Sequence, residues 1–476
     1  MAYKTIVGLE IHVELMTKTK IFCNCANEFG GDANTQCCPV CLGLPGALPV
    51  LNKSVVEYAI RAGLAFNSQI AMNTMMDRKN YFYPDLVKGY QISQADVPLC
   101  SEGYIEVDTE NGLKKIRLIR IHIEEDTGKS IHTEAGDSLL DYNRAGVPLI
   151  EIVTEPDINT KEEAQDFLEK LKATLQYLEV SDCKMEEGSL RCDVNLNVVD
   201  TEKGTKTKIS ELKNLNSFSA VGKAIEYEEK RHIELLEKGK NTRKETRRWN
   251  EMENKTVLMR SKEEVADYRY GAEPDIAPIK IDEDWIEEIR NNLPELPEHK
   301  KARFMDKYDL PEYDAGVLTQ SKELSIFFEE TVKLSKDPKQ VSNWIMGDVL
   351  RRLNDEEIEV EDLRFEAKDL ADLLRLIDDG KISNNIGKKV FREMFETGKK
   401  PETIVKERGL IQINDEDELK KIVEKVLEEN EQSIIDYKNG KDRALGYLVG
   451  QTMKVTRGKA NPQMVNKMIR DIISEK

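Results

Sequence analysis

The fold of the first part of this chain is decided by residues 5–15, which read TIVGLEIHVEL. Apolar and polar residues alternate along this stretch, so that Glu10, His12 and Glu14 share one face and the aliphatic side chains share the other. Such alternation is typical of a β-strand with one face in a hydrophobic core. The stretch therefore predicts a strand that presents two carboxylates and an imidazole away from the core.

Outward from this strand, the first 294 residues mix strand-like and helix-like patterns. A second strand is predicted over residues 116–125, and shorter strands follow further along the chain. A helix is predicted after Thr160, because Thr160 and Glu163 have the spacing of a capping box ahead of apolar residues at helical spacing. This mixture predicts a large α+β domain over residues 1–294.

The remainder of the chain is predicted to be helical. Pro294, Pro297 and a polar run mark the boundary, after which glycine and proline are sparse and apolar residues recur at helical spacing. We predict an all-helical domain over residues 295–408 and a small helical tail domain over residues 409–476.

Composition limits the function classes. The 476 residues include 71 Lys or Arg and 89 Asp or Glu, a formal net charge of −18. A chain with this negative charge repels phosphate over most of its surface. Any nucleic-acid site must therefore be a local basic patch. No secretory signal opens the chain, and three prolines interrupt the charge-free stretch 33–52. We therefore expect a cytoplasmic protein with no membrane partner, whose cysteines are not disulfide-bonded.

Five of the eight cysteines lie between residues 23 and 41. Cys23 and Cys25 form one close pair and Cys38 and Cys41 another, and glycines between the pairs allow the loop to fold back. Four thiolates suit tetrahedral Zn²⁺, and because the motif has no histidine or carboxylate to activate water, the zinc would be structural. The alternative is a set of buried cysteines without a metal.

Carboxylates recur on the predicted strands. Residues 124–126 are three consecutive acids at the end of the second strand, and Glu151 interrupts an apolar run. A buried carboxylate is costly unless it is paired or bound to a metal, so these acids together with Glu10 and His12 predict a divalent-cation site for phosphate chemistry. For the first strand alone, the alternative is a solvated outer face.

Three segments combine cations with aromatic or glycine residues, as nucleotide-binding loops do. They are residues 77–85 (DRKNYFYPD), residues 184–193 (KMEEGSLRCD) and residues 246–249 (TRRW). For the first of them, a turn with a solvated charge cluster is the alternative. Residues 128–130 imitate the end of a P-loop, but the leading glycine is missing, so a Walker fold is excluded. The predicted nucleotide- or substrate-binding residues are Lys79, Tyr81, Asp85, Lys184, Arg191 and Arg247.

The tail changes charge midway. Residues 412–440 carry a net charge of −5 and residues 441–476 a net charge of +5. This asymmetry predicts an anion-facing surface, and an ordinary helical surface with paired charges is the alternative. The cations concerned are Lys454, Arg457, Lys459, Lys467 and Arg470.

Several long runs resemble one known family in the same order along the chain: residues 7–15, 77–94, 184–195, 211–218 and 450–462. The family is the B subunit of the aspartyl/glutamyl-tRNA(Asn/Gln) amidotransferases. Residues 267–275 depart from its usual DYRYFPEPD at Gly271 and Ala272. The archaeal glutamate-specific relative carries a large inserted domain, for which 476 residues leave no room, so the broad-specificity subunit is preferred.

The resemblance implies a cradle-shaped, kinase-like first domain, then a helical domain and a tRNA-binding tail. It implies use of ATP and Mg²⁺ to phosphorylate the side-chain carboxylate of Glu on tRNA(Gln) or Asp on tRNA(Asn). Ammonia from a glutaminase A subunit would then give the amide, and a small C subunit would complete a heterotrimer. The family's metal positions correspond here to His12, Glu125 and Glu151, with Glu10 adjacent.

A second hypothesis from a different class is a zinc-stapled RNA-binding subunit without catalysis. Glu10, Glu125 and Glu151 argue against it, because carboxylates repel RNA unless a metal lies between them. ATP-dependent phosphate release by the assembled complex would separate the two hypotheses.

Overall fold

A computed structural model of the chain describes residues 2–133, 135–240, 242–261, 267–410, 416–456, 460 and 462–475. The chain divides into two compact units, Met1–His299 and Lys300–Lys476. The first contains the strands and the second is helical, so the predicted α+β class is confirmed. The division falls five residues after the predicted boundary at 294. The separate tail domain stays a prediction.

The strands of the described residues all lie in the first unit. They are β1 (Tyr3–Glu14), β2 (Gln69–Ile70), β3 (Asn73–Thr74), β4 (Asp77–Asn80), β5 (Tyr90–Ser93), β6 (Cys100–Ser101), β7 (Tyr104–Thr109), β8 (Gly112–Glu125), β9 (Lys129–His132), β10 (Ser138–Asp141), β11 (Pro148–Thr154), β12 (Leu190–Asp200), β13 (Ser210–Lys213), β14 (Glu245–Asn250), β15 (Lys255–Ser261), β16 (Gly271–Ala272) and β17 (Ile279–Lys280).

Ten of these strands form one sheet within the described chain, in the order β15-β14-β13-β12-β1-β11-β8-β6-β2, with β7 paired to β8. Neighbours are antiparallel except β13 and β14, which are parallel. The predicted opening strand is therefore a central strand of the sheet. Smaller pairings join β9 to β10, β4 to both β5 and β16, and β3 to β17.

The helices of the first unit cover one face of this sheet. They are α1 (Lys53–Ala65), α2 (Lys161–Tyr177), α3 (Phe218–Glu237) and α4 (Glu283–Asn291), and α5 (Pro297–Tyr308) spans the boundary. Leu9 and Ile11 of β1 are buried in one core with Phe167 and Leu171 of α2 and Val221 of α3. Because alternate side chains point to opposite faces, the residues between them project from the other face of the sheet.

The predicted start of α2 is observed. The Thr160 hydroxyl accepts a hydrogen bond from the Glu163 amide at 3.1 Å, as an N-cap does. The Glu163 carboxylate accepts from the amide of Asn159 at 2.7 Å, one residue before the position that a capping box would use. The second predicted strand is observed as part of β8.

The second unit holds two hydrophobic clusters. Its further helices are α6 (Glu312–Leu318), α7 (Lys322–Leu334), α8 (Pro338–Trp344), α9 (Leu350–Glu356), α10 (Ala367–Asp378), α11 (Asn384–Thr397), α12 (Pro401–Glu407), α13 (Glu416–Glu428), α14 (Glu431–Lys438), α15 (Arg443–Val455) and α16 (Pro462–Glu475), with a π-helical turn at Ile345–Val349 and a 3₁₀ turn at Val360–Asp362. One cluster joins residues between Phe304 and Val405, the other residues between Leu419 and Ile473. No helix in the described part of the chain is both long and apolar enough to span a membrane.

Candidate active site and metal centres

Four central strands align polar side chains across the face of the sheet opposite these helices. His12 of β1 lies opposite Arg191 of β12 on one side and Glu151 of β11 on the other, and Glu151 lies opposite His122 of β8. Directly opposed residues of antiparallel strands project from the same face. The pairing therefore assembles a row of four polar side chains from strands far apart in sequence.

Glu124 completes a compact group with two members of this row. His12 Nε2 lies 3.4 Å from Glu124 Oε1 and 3.7 Å from Glu151 Oε2, and His122 Nε2 lies 3.2 Å from Glu151 Oε2. The ligand atoms of His12, Glu124 and Glu151 all lie within 4.8 Å of one another. Both carboxylates are largely removed from water, and the His12 ring is partly accessible.

The charges around Glu151 favour the ionised form of its carboxylate. Burial alone would raise the pKa of Glu151, but hydrogen bonding and charge from His122, together with His12 and Lys79, hold that pKa below its usual range. Burial would also lower the pKa of His122, yet Glu124 and Glu151 raise it to about 8.

These donors fit a divalent cation. Two carboxylates and an imidazole are hard or borderline ligands of the kind that Mg²⁺ and Mn²⁺ accept. His122 Nδ1 is a buried nitrogen that lacks a hydrogen-bond partner in the described part of the protein, so the surrounding polar network is incomplete. We call His12, Glu124 and Glu151 the carboxylate–histidine site.

The structure places Glu125, which the family resemblance assigns to the metal, apart from this group. Glu125 and Glu124 are neighbours on a strand, so their side chains point to opposite faces, and only Glu124 lies beside His12 and Glu151. The Glu125 carboxylate is paired with the Lys88 ammonium and accepts a hydrogen bond from the Ile92 amide at 2.9 Å.

Glu10 belongs to a second group one row along the same face. Glu10, Asp193 and Glu211 bring three carboxylates within 4.8 Å. Lys213 pairs with Asp193 and lies 3.2 Å from Glu211, and Asn195 Nδ2 donates to Glu10 Oε1 at 2.9 Å. Burial, followed by the charges of Glu151 and Asp193, raises the pKa of Glu10. In this second group, the ammonium of Lys213 is the positive charge that offsets the carboxylates of Asp193 and Glu211.

A cavity of about 440 Å³ opens next to Glu14, which lies two residues beyond His12 on β1, on the side away from Glu10. Arg191 donates to Asp126 at 2.7 Å, and Arg144 Nε lies 3.5 Å from the same carboxylate. Burial and the charge of Asp126 raise the pKa of Glu14 to about 7. Lys129 and the loop 185–189 complete the lining, and the predicted residue Lys184, just before that loop, pairs with Glu187 at 3.0 Å.

Two of the residues predicted from segment 77–85 lie near the carboxylate–histidine site. Burial opposes the charge of Lys79, but Glu124, with Glu151, outweighs it and raises the pKa of Lys79. The Tyr81 hydroxyl donates to Gln91 Oε1 at 3.2 Å, and Gln91 Nε2 donates to the Glu125 carbonyl at 2.7 Å. Asp85 lies in the following loop, where its carbonyl accepts from the Gly128 amide at 2.9 Å.

Arg247 is not brought to this site. Its guanidinium lies 3.1 Å from Glu228 and 3.0 Å from Glu245, inside a network between α3 and strands β13 to β15. Arg231 donates to Glu228 at 2.7 Å, and the Glu228 side chain is fully buried. A buried carboxylate needs such partners. Arg247, which the sequence analysis predicted to bind nucleotide or substrate, is therefore engaged in ion pairs within the fold.

The four cysteines of loop 23–41 converge. Cys41 Sγ lies 3.4 Å from Cys23 Sγ and 3.8 Å from both Cys38 Sγ and Cys25 Sγ. Tetrahedral ligands at a Zn–S distance of about 2.3 Å lie about 3.8 Å apart, so the four thiols fit zinc. The interaction with Cys23, assisted by the Lys20 ammonium 3.7 Å from the sulfur, lowers the pKa of the Cys41 thiol.

Part of the predicted cationic surface of the tail is described. Lys454 of α15 and Lys467 and Arg470 of α16 are exposed, and Arg470 Nε donates to Asn466 Oδ1 at 2.9 Å. Arg457 and Lys459 lie outside the described residues.

The sequence analysis included residues 124–126 among the acids of the cation site, but it gave no individual role to Glu124, His122, Asp126 or Arg144. The first two could have been found, because residues 122 and 124 share a face of a strand whose other face carries isoleucines. Arg144 lies in a loop, and only the tertiary fold shows its approach to Asp126.

Comparisons with known proteins show the family of the chain. Residues 5–287 match the family model described as the GatB/GatE catalytic domain, and residues 326–473 match the model described as the GatB domain. The chain is 59% identical, over the full length of both chains, to the B subunit of the aspartyl/glutamyl-tRNA(Asn/Gln) amidotransferase from Caldanaerobacter subterraneus subsp. tengcongensis. It is 56% identical to the protein of that name from Finegoldia magna, with 99% of this chain and 100% of the relative covered.

The departures at Gly271 and Ala272 leave that segment paired, since β16 forms a ladder with Arg78 and Asp77 of β4. Identity at this level over the whole length, with both family models matched in order, establishes the relationship. The chain belongs to the family of aspartyl/glutamyl-tRNA(Asn/Gln) amidotransferase B subunits.

Proposed function

We propose that this chain performs the ATP-dependent step of tRNA-dependent amidation. It would phosphorylate the side-chain carboxylate of Glu on tRNA(Gln), of Asp on tRNA(Asn), or of both, and then form the amide with ammonia. The observation that carries the proposal is the carboxylate–histidine site, which three strands of one sheet assemble. A cavity next to Glu14 holds Lys129 and Arg144 among several acidic residues.

The chemistry explains why such a site is needed. A free carboxylate is a poor acyl donor because oxide would have to leave. Transfer of the γ-phosphoryl group of ATP to a carboxylate oxygen releases ADP and creates an acyl phosphate, from which ammonia displaces phosphate. A divalent cation held by His12, Glu124 and Glu151 would neutralise charge on the phosphoryl group.

The chain's own cations take complementary positions. Lys79 lies near Glu124 and Glu151, where it can orient the substrate carboxylate or a phosphate oxygen. Arg144 and Lys129 line the cavity beyond Glu14, where guanidinium and ammonium groups suit nucleotide phosphates. The four thiols would hold structural zinc, and the cations of α15 and α16 would contact tRNA phosphates.

Ammonia would come from other chains. The shared name of the relatives designates one component of a larger enzyme, and the sequence offers no convincing Cys–His nucleophile site for glutamine hydrolysis. We propose a glutaminase A subunit as the ammonia source and a small C subunit as the third component.

The test measures phosphate release from ATP by the assembled complex, with and without misacylated tRNA. We expect release to require Glu-tRNA(Gln) or Asp-tRNA(Asn), and Glu151→Gln to slow it by at least about 10²-fold. Glu106→Gln, an exposed carboxylate on β7 of the same sheet, is the matched control and should retain the rate. Absence of ATP-dependent phosphate release would favour the non-catalytic RNA-binding hypothesis, and release that does not require misacylated tRNA would contradict the proposed substrate.

A further inference from the structure

Five aromatic rings from two distant segments form one surface. We define the aromatic surface as Tyr81, Phe82 and Tyr83 with Tyr268 and Tyr270. The ring of Tyr81 lies 6.0 Å from those of Tyr83 and Tyr268, and Tyr268 lies 6.0 Å from Tyr270, each pair edge to face. Phe82 lies between Tyr81 and Tyr83 in the chain, and its ring is next to the guanidinium of Arg269, which lies between Tyr268 and Tyr270 in the chain.

Main-chain and side-chain hydrogen bonds hold the two segments together. The Asn80 amide donates to the Tyr268 carbonyl at 2.8 Å, and Asn80 Nδ2 donates to the Arg269 carbonyl at 2.7 Å. Just beyond, Arg78 makes two hydrogen bonds to the buried carboxylate of Glu273, at 2.7 and 2.9 Å. The two segments that carry the rings are therefore fixed relative to each other.

The surface leaves much aromatic area in water. Phe82 is 75% exposed, Tyr83 59% and Tyr270 49%. Adjacent exposed rings of this size commonly mark a binding surface. Two cations accompany them: Lys79 Nζ lies 5.1 Å from the centre of the Tyr268 ring, and the Arg269 guanidinium carbon lies 5.8 Å from that of Phe82. Rings that stack bases beside cations that meet phosphates are the recurring features of single-strand nucleic-acid sites.

The inner end of the surface adjoins the carboxylate–histidine site. Tyr81 is joined through Gln91 to the main chain of Glu125, one residue from Glu124. A single nucleic-acid strand stacked on these rings would therefore have its end at the carboxylate–histidine site.

We propose that the aromatic surface stacks the unpaired 3′-terminal nucleotides of aminoacyl-tRNA and so directs the esterified amino acid to the carboxylate–histidine site. This assignment rests on the proposed function. Several rings in series suit consecutive bases of a strand, whereas the adenine of ATP needs one stacking partner. The cavity beside Glu14, where Lys129 and Arg144 stand among acidic residues, offers the nucleotide a separate place.

The experiment uses the assembled complex with Phe82→Leu and Tyr270→Leu. Loss of one base-stacking ring should raise the KM for aminoacyl-tRNA by about fivefold or more and leave the KM for ATP unchanged. Tyr270→Phe, which keeps the ring, should restore the tRNA KM. Tyr313→Leu removes a tyrosine of 74% exposure from the helical unit and serves as the control.

A second readout does not depend on turnover. A tRNA with 2-aminopurine at its 3′ end should lose fluorescence on binding to wild-type complex, and less so with the leucine variants. An unchanged tRNA KM in both leucine variants overturns the proposal, as does a rise confined to the KM for ATP. Loss of subunit assembly in those variants would instead identify a protein contact and also overturn it. Failure of the proposed function would appear separately, as wild-type phosphate release that does not require misacylated tRNA.

Discussion

Lys20 offers a sharp test of the proposed zinc site. Its side chain is fully buried, and its ammonium lies 3.7 Å from Cys41 Sγ while donating to the carbonyls of Gln36 and Ala145 at 2.7 and 2.8 Å. Lys20→Met removes the charge and keeps a flexible, unbranched side chain. We expect this change to weaken zinc binding although Lys20 is not a ligand.

The magnitude follows from charge and distance. Four thiolates around Zn²⁺ carry a net charge of −2, and a unit positive charge 3.7 Å from one thiolate contributes about 4 kcal/mol at an effective dielectric constant of about 20. Relief of the desolvation of a buried ammonium offsets part of that loss. With tenfold in affinity for each 1.4 kcal/mol, the zinc dissociation constant should rise by about 10²- to 10³-fold.

The assay is competition with a chromophoric chelator at constant pH, with circular dichroism as the check on folding. Lys18→Met is the matched control, because Lys18 is exposed and only two residues away. If Lys20→Met binds zinc as tightly as wild type, the electrostatic reasoning is refuted. If wild-type protein holds less than half an equivalent of zinc, the site itself is refuted.

Three further outcomes are expected. Glu124→Gln should slow phosphate release by at least about 10²-fold, and it should abolish the Mn²⁺ binding that we expect wild-type protein to show by electron paramagnetic resonance; retention of both would take Glu124 out of the site. Burial opposes the charge of Glu228, but His232 and Arg231 outweigh it and lower its pKa from 4.5 to about 2. Because this folded-state pKa is depressed, the resulting stability of about 3 kcal/mol is present above about pH 4.5 and is lost as the pH falls toward 2. The difference in urea stability between wild type and Glu228→Gln should therefore be smaller at pH 3.5 than at pH 7, and a constant difference would contradict this. Truncation after Gly440 should raise the KM for aminoacyl-tRNA and flatten its salt dependence by a few units of slope, with the KM for ATP unchanged; an unaltered tRNA KM at near-physiological salt would exclude a tRNA-binding tail.

Local patterns in the sequence were enough to predict several features. Alternation along residues 5–15 predicted a strand with Glu10, His12 and Glu14 on its polar face, because the side-chain period of a strand is two. The spacing of the cysteine pairs predicted their convergence, because a short glycine-containing loop lets four thiols meet. The family was recognisable from its ordered motifs.

Other features depended on which strands pair and in what register. Alternation in the sequence puts Glu124 on the same face as His122. It does not show that this face meets His12, since a shift of one residue in the pairing exchanges the two faces of a strand. Register between β8 and β11 selects Glu124. Likewise Arg247 resembles a phosphate ligand in sequence, and only the packing of α3 against β14 and β15 surrounds it with Glu228 and Glu245. The sequence by itself thus determined the kinds of side chain available and the faces they occupy, whereas tertiary pairing decided which charges become partners, because those partners lie on strands and helices far apart along the chain.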